Sequence, residues 1–281
     1  MRLTESLGLT PLNLLIDALI WIIVATPIGL MYYFIRPTNK GFFCDDKSLS
    51  YPYREDTIPP IYMYLTTCLT PLVLITATEW INWQFLDKTI GNGTQYSTTI
   101  RAYTIFLFGI TLNQFFVDIP KYFVRELRPN FLDVCRPNFT SCDGYVTDYE
   151  CTNKAMSEND IIDTMRSFPS GHAAICMFSA LYTVLYLELR FDIKISRFLK
   201  PSMQMALLIV SAWAGMTRVS DHKHHLQDVI VGGAIGVMVA SAVFYKITCP
   251  SLRQQQVKTP PPFNNIGEPQ TPTPLILKPR C

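Results

Sequence analysis

The chain has 281 residues, of which 49% are hydrophobic and only 16% are charged. Soluble domains carry closer to about 25% charged residues, so this composition argues against an ordinary soluble protein. The formal net charge of +2 gives no reason to expect a nucleic-acid partner.

Six apolar runs follow one another along the chain. Each comes close to the ~20 residues that a helix needs to cross a bilayer, and none has the amphipathic period of a soluble bundle. They lie near residues 14–35, 58–81, 100–120, 171–189, 201–217 and 227–245. We therefore predict an all-α fold: an integral membrane bundle of six transmembrane helices within residues 1–249, with both chain ends on one side.

The two ends of the chain are predicted to differ in structure. The first run contains Asp17 and Pro27 and is too long for a cleavable signal peptide, which favours a retained signal anchor. Residues 250–281 are rich in Pro, Gln and Thr and cannot build a core. We predict that they form a disordered cytoplasmic tail.

One short basic loop predicts the orientation in the membrane. Lysine and arginine residues divide about evenly between the two sides, so their overall number does not decide the matter. The loop between the fourth and fifth runs is nevertheless crowded with basic residues, which favours the cytoplasm. These residues are Arg190, Lys194, Arg197 and Lys200. Both termini are then predicted to be cytoplasmic, with the other face extracellular or lumenal.

The outer loops carry cysteines and a glycosylation sequon. Four cysteines fall in the two long outer loops, where an oxidising compartment permits up to two disulfides, in any of three pairings. They are Cys44, Cys135, Cys142 and Cys151. The Asn138-Phe-Thr sequon lies on the same side, whereas Asn92-Gly-Thr lies one crossing away. A glycan is therefore predicted on Asn138 and not on Asn92.

The long outer loop, about residues 121–170, begins with the fragment KYFVRELRPN. Lys121 and Arg128 are seven residues apart, about two helical turns, so we expect both side chains to project from one helix face. Pro129 discourages continuation of the helix. The pair places two cations at the outer end of the third run.

The same loop ends with the fragment FPSGH. Ser170 is a good helix cap, and Gly171 permits close approach of a ligand to the backbone. The free N–H groups of a helix N-terminus favour an anion, and His172 would meet that anion from the first turn. The fragment predicts an anion site at the start of the fourth run.

A third fragment, TRVSDHKHHLQD, precedes the sixth run. Arg218 offers a planar fork suited to phosphate oxygens. His224 and Asp228 are four residues apart, so on the sixth helix the carboxylate can orient the imidazole. Further along, Gly232 and Gly236 predict tight helix packing.

Together the three fragments predict phosphoryl transfer. His224 would attack phosphorus, with Asp228 orienting it, and His172 would protonate the leaving alkoxide and then activate water. Cations and the helix start would stabilise charge on the phosphoryl oxygens. This phosphate-binding set is Lys121, Arg128, Ser170, Gly171 and Arg218. We predict no bound metal ion or other cofactor.

The fragments K-x6-RP, PSGH and R-x5-H-x3-D resemble the tripartite signature of the type-2 phosphatidic acid phosphatase superfamily, whose members work without a metal. The segments at 41–59, 131–138 and 142–146 are similar to lipid phosphate phosphatases in particular, and the likeness spans about residues 10–248. Thr217 stands where the family usually has serine, and it keeps the hydroxyl group.

The resemblance implies a phosphomonoesterase for phosphatidate, lysophosphatidate, ceramide phosphate and sphingosine phosphate. It implies an active site at the outer or lumenal face of the plasma membrane or of an internal membrane, contact with the lipid bilayer, and possible self-association. The substrate preference and the particular membrane do not follow from it.

Three alternatives stay open. A lumenal phosphatase of soluble sugar phosphates belongs to the same superfamily. A membrane transporter or channel would also carry charges in its helices, although here they gather at helix ends. A metal site would use the clustered His222, His224 and His225.

Overall fold

Six long helices make up most of this computed structural model, which describes residues 11–35, 40–85, 92–138, 144–191 and 196–252. They are α1 (Pro11–Phe34), α2 (Pro60–Phe85), α3 (Asn92–Val124), α6 (Gly171–Arg190), α7 (Leu199–Ser220) and α8 (Leu226–Val243). A π-helical turn at Phe244–Thr248 extends α8. The predicted all-α class is confirmed in its main feature, since the described strands are only two residues long.

Five of the six long helices are long and apolar enough to cross a membrane. These spans are Pro11–Phe34, Pro60–Gln84, Tyr96–Val124, Gly171–Arg190 and Leu226–Leu252. Helix α7 lies where the fifth span is predicted, but it includes Lys200, Gln204 and Arg218 and is less apolar than the others. The protein is a multi-pass membrane protein, and the sixth crossing stays a prediction.

Helix α6 is the centre of the bundle and packs against α2, α3, α7 and α8. As predicted, the Gly232-x3-Gly236 pair lets α8 lie close to α6. A Cβ atom on Gly232 would overlap the carbonyl oxygen of Ser170, and one on Gly236 would overlap that of Ala174. The starts of α6 and α8 are therefore held together backbone to backbone.

We call the end of the bundle with the two long loops, residues 40–59 and 125–170, the loop end, and the other the far end. The loops contain helices α4 (Phe131–Cys135) and α5 (Glu158–Asp163) and strands β1 (Phe42–Phe43), β2 (Pro137–Asn138), β3 (Tyr145–Val146) and β4 (Glu150–Cys151). Strand β1 pairs with β3 and β2 with β4, both antiparallel. The two loops thus form one cap over the helices.

A small apolar core and a disulfide hold this cap together. The rings of Phe42, Phe131 and Tyr149 contact one another edge to face. A disulfide joins Cys135 to Cys151, and Cys44 is also disulfide-bonded. Cys142 lies outside the described residues. The side chain of Asn138 is exposed at the surface of the cap.

The last described segment continues the final helix. Residues Pro250–Leu252, which the sequence assigns to the tail, are still helical. The rest of the predicted tail, 253–281, lies outside the described residues.

Candidate active site

The first fragment supplies two cations, one from a helix and one from the loop after it. Lys121 lies in the last turn of α3, which ends at Val124. Arg125 then takes a left-handed conformation, with φ of 51°, so the chain leaves the helix before Arg128. The expectation that Lys121 and Arg128 share one helix face is therefore wrong. Arg128 is held instead by Asp163 of α5, with Nη2 2.8 Å from Oδ2.

Lys121 nevertheless lies next to the second fragment. Its Nζ is 3.7 Å from the position that a Cβ atom on Gly171 would occupy. A side chain at Gly171 would thus stand between the ammonium group and the start of α6. Because glycine has no side chain, a small anion has room between the Lys121 ammonium group and the start of α6.

The second fragment begins α6 as predicted. Ser170 is the N-cap, and its Oγ accepts a hydrogen bond from the backbone N–H of Ala173 at 3.4 Å. Its own N–H donates to the carbonyl of Asp228 at 3.0 Å, which ties this fragment to the third. His172 is half-buried in the first turn, and its buried Nε2 has no hydrogen-bond partner in the described part of the chain.

The third fragment forms a turn around the carbonyl of Arg218. The N–H groups of Lys223 and His224 both donate to that oxygen, at 3.0 and 3.2 Å. The Arg218 side chain is buried, and its Nη1 lies 2.8 Å from Oδ1 of Asp56. Its buried Nε has no hydrogen-bond partner among the described residues, and the same holds for Nε of Arg128.

His224 and Asp228 come together, but not on one helix. Helix α8 begins only at Leu226, with His225 as its N-cap, so His224 lies in the preceding turn. Asp228 is in the first turn, where Oδ2 accepts from the N–H of His225 at 2.9 Å. This capping contact brings Oδ2 to 3.6 Å from Nδ1 of His224. The predicted pairing is present, although the helical spacing that predicted it does not apply.

A buried serine that the sequence reading missed completes this arrangement. Ser167 Oγ donates to Oδ2 of Asp228 at 2.5 Å and lies 3.4 Å from Nδ1 of His224. Both polar contacts are on the Nδ1 side of the ring. The opposite nitrogen, Nε2, is therefore the one left for a ligand. In the sequence, the only sign of this role is that Ser167 lies three residues before the predicted helix cap Ser170.

His224 is neutral near pH 7. Burial is the main reason that its pKa falls to about 3, and the hydrogen bond with Asp228 opposes this shift. The cations Arg128, Lys121 and Arg218 lower the pKa further. A neutral imidazole has the lone pair that a nucleophile needs.

The first loop also enters the site, which the sequence reading did not foresee. Asp56 pairs with Arg218, and Thr57 donates to Asp221 through both its backbone N–H, at 2.8 Å, and its hydroxyl, at 2.6 Å. The ring of His222 contacts that of Tyr51. This loop is fastened along the turn that carries His224.

The alternative of a metal site can be compared with the geometry. Among the described residues, ligand atoms of Glu126, His225 and Asp228 lie within 4.8 Å of one another. Of the three histidines that suggested a metal, only His225 belongs to this group. His222 instead forms a hydrogen bond at 2.9 Å between Nδ1 and the carbonyl of Pro52.

The residues around His172 and His224 form a candidate anion site. Arg128, Lys121 and Arg218 are all close enough to His224 to lower its pKa, and Nε of each of the two arginines has no hydrogen-bond partner among the described residues. Buried polar atoms are normally paired, so these two donors are candidates for binding a ligand. A phosphoryl group, with several oxygens and negative charge, fits such donors.

Comparison with known proteins agrees with this chemistry. The sequence model of the PAP2 superfamily matches residues 102–248. Phospholipid phosphatase 1 of Mus musculus is 35% identical, over 83% of this chain and 86% of its own length. Phospholipid phosphatase 2 of Homo sapiens is 31% identical over 90% and 93%, and that of Bos taurus is 34% identical over 81% and 79%. No solved structure matches.

Proposed function

Since the chain belongs to the PAP2 superfamily, we propose that it is a lipid phosphate phosphatase that works through a phosphohistidine at His224. The observation that carries this proposal is the group of under-paired cations around two histidines. In the part of the chain that the structure describes, Nε of Arg128, Nε of Arg218 and Nε2 of His172 are buried without a hydrogen-bond partner.

In the first step, Nε2 of His224 attacks phosphorus while the phosphorus–oxygen bond to the lipid breaks. His172 gives its proton to the departing alkoxide, so the lipid leaves as a neutral alcohol. Asp228 and Ser167 keep the proton on Nδ1 of His224 and hold the ring in place. The remaining negative charge lies on the phosphoryl oxygens, next to the cations.

In the second step, His172 takes a proton from water, and the water oxygen attacks phosphorus. The phosphorus–nitrogen bond breaks, and its electron pair returns to Nε2 of His224. Inorganic phosphate leaves, and the enzyme is restored. Each histidine therefore acts in both steps, one as nucleophile and leaving group, the other as acid and base.

Metal independence is part of the proposal. A metal ion in phosphoryl transfer neutralises charge on the equatorial oxygens. Lys121, Arg128 and Arg218 supply that charge here, together with the N-terminus of α6 at Ser170 and Gly171. Activity in excess chelator is therefore expected.

The proposed substrates are lipid monophosphates: phosphatidate, lysophosphatidate, ceramide phosphate and sphingosine phosphate. The bilayer supplies them, and the loop end of a six-span bundle would receive them at the outer or lumenal face, with both termini cytoplasmic. The basic residues in and beside the connection between α6 and α7 support that orientation, since such residues are enriched in cytoplasmic loops; they are Arg190, Lys194, Arg197 and Lys200. We propose the plasma membrane as the main location and leave internal membranes as a second.

The test is phosphate release by purified protein in EDTA from these four lipids and from a soluble sugar phosphate. Lipid cleavage without sugar phosphate cleavage is expected. His224→Ala should abolish it, whereas His222→Ala, a change at a partly exposed histidine of the same turn, should not. Cleavage of the sugar phosphate alone would favour the other superfamily activity, and flux without phosphate release would favour a transporter.

Orientation is tested separately by the two sequons. Asn138→Gln should remove the glycan shift of the protein made in cells with a secretory pathway, and Asn92→Gln should leave it. The opposite result would place the loop end in the cytoplasm. Self-association stays a prediction. It can be tested by measuring the mass of the purified protein in detergent and subtracting the mass of the bound detergent.

A further inference from the structure

Resting on the proposed function, we propose that Asp56, which lies between Arg218 and Lys223, forms a second polar subsite beside the phosphate position. Asp56 would select lipid monophosphates with a hydrogen-bond donor on the carbon next to the one that bears the phosphate. The preferred ligand class is thus an amino or hydroxy lipid phosphate, with an ammonium group favoured most.

Asp56 stands between two cations at the edge of the site. Its Oδ1 is 2.8 Å from Nη1 of Arg218 and 4.0 Å from Nζ of Lys223. The Asp56 side chain is 26% exposed, whereas those of Arg218 and Lys223 are 3% and 10% exposed. The carboxylate therefore contacts two protein cations through Oδ1, while part of its surface is accessible to a ligand. Its Oδ2 has no hydrogen bond within the described part of the chain.

The surrounding contacts place Asp56 in a rigid setting. Its neighbour Thr57 makes two hydrogen bonds to Asp221, as described above. The backbone N–H of Tyr53 donates to Oδ2 of Asp133 at 2.8 Å. The ammonium group of Lys223 lies 4.1 Å from the centre of the Tyr53 ring. Residues before and after Asp56 in the sequence are thus hydrogen-bonded to other segments, which holds the carboxylate in place.

A carboxylate at this position affects lipids unequally. Phosphate and Asp56 would contact the same guanidinium, so they lie within the width of one side chain from each other. Two negative groups at that distance repel each other. A donor on the substrate offsets the repulsion, since it can bridge to Oδ2, and a charged donor does so most strongly.

The four proposed substrates differ in this donor. The carbon next to the phosphate-bearing carbon has an ammonium group in sphingosine phosphate, an amide N–H in ceramide phosphate and a hydroxyl in lysophosphatidate. In phosphatidate it carries an ester, which donates nothing. The subsite therefore predicts a preference that falls in this order of donor strength, with phosphatidate last.

Substitution of Asp56 by Asn tests the subsite with matched controls. Asp56→Asn should lower kcat/KM for sphingosine phosphate by about 10- to 100-fold relative to phosphatidate, the usual effect of losing a charged hydrogen bond. KM for phosphatidate should stay or fall, because repulsion is relieved. Glu55→Gln, the same change at the exposed preceding residue, should leave the ratio unchanged. Asp163→Asn, at the partner of Arg128, should affect all lipids alike.

A substrate pair tests the same point on the unaltered protein, in case Asp56→Asn does not fold. An alkyl phosphate and its 2-amino derivative differ only in the donor, and we expect about 10-fold higher kcat/KM for the amine. Equal turnover of this pair, or an unchanged lipid ratio in active Asp56→Asn, would overturn the subsite while the phosphatase activity stands. Failure of the unaltered protein to cleave any lipid phosphate would overturn both proposals.

Discussion

Buried charged side chains lie at both ends of the helix bundle, but they differ in how many of their polar atoms are hydrogen-bonded. At the far end, Arg190 binds Glu79 through Nε and Nη2, at 2.8 and 2.6 Å, and the Tyr186 hydroxyl adds a third bond to the same carboxylate. At the loop end, the buried Nε atoms of Arg128 and Arg218 have no hydrogen-bond partner within the described ranges of the chain.

The contrast separates a structural cluster from a binding site. A buried ion pair is stable only when further hydrogen bonds satisfy its remaining donors and acceptors, and the far end meets this condition. Arg128 and Arg218 at the loop end do not, although their side chains are 7% and 3% exposed against 22% for Arg190. Unsatisfied donors in a native protein call for an explanation, and a phosphoryl ligand supplies one. Disruption of the two ends should therefore have different consequences.

The largest effect is expected from Arg218→Ala. Loss of a donor that stabilises the transition state costs about 10²- to 10³-fold in rate. The unfolding midpoint should fall less than in Glu79→Gln, because Asp56 is partly exposed and can be solvated, and the buried Asp221 keeps two hydrogen bonds from Thr57. Arg54→Ala, at an exposed arginine bonded to the Ser220 carbonyl, is the control and should retain activity. Steady-state kinetics and thermal unfolding in detergent provide both measurements.

Glu79→Gln should produce the reverse pattern. Arg190 would be left without a counter-charge, which costs about 3–5 kcal/mol of stability for a buried pair. The rate per folded molecule should be unchanged, because the cluster is at the other end of the bundle. Glu188→Gln, which breaks the exposed pair with Lys200, should cost less than about 1 kcal/mol. A large loss of kcat in folded Glu79→Gln protein would contradict the assignment of the far-end cluster to a purely structural role.

Two neighbouring glycines test how the site is held together. Gly232→Ala should lower kcat by about 10²-fold, because its Cβ would push α8 away from Ser170 and misplace the histidines. Gly233 has open space around its Cβ position, so Gly233→Ala should be active and equally or more stable. Similar activities for the two variants would show that the close approach is not needed.

Part of this site was predictable because it is local in sequence. Ser170 caps the helix that starts at Gly171, as a serine before a helical run predicts. The cations and histidines lie at one end because each fragment borders an apolar run. Capping and run length depend on neighbouring residues only, so a single sequence contains them.

The missed features depend on contacts between distant segments. Asp56 is 162 residues from Arg218, and Glu79 is 111 residues from Arg190, so no spacing rule pairs them. The left-handed Arg125 and the late start of α8 are local, but the apolar pattern does not reveal either.

The smallest predicted effect is ligand stabilisation. Inorganic phosphate at ~10 times its Kd should raise the free energy of unfolding by about 1.4 kcal/mol, since it binds only the folded site. Glu79→Gln should keep this increment, and Arg218→Ala should lose most of it. Equal stabilisation of both variants, measured by thermal shift against phosphate concentration, would mean that phosphate binds elsewhere.

The most direct test of the central claim is to trap the phosphoenzyme. In His172→Ala, a substrate with a good leaving group, such as 4-nitrophenyl phosphate, needs no proton from the enzyme, but hydrolysis of the intermediate needs a base. Mass mapping under alkaline conditions should find one acid-labile phosphate per chain, on His224, and none in the double variant with His224→Ala. Absence of phosphate from His224, or its persistence after His224 is replaced, would contradict the assignment of the loop end as a phosphotransfer site.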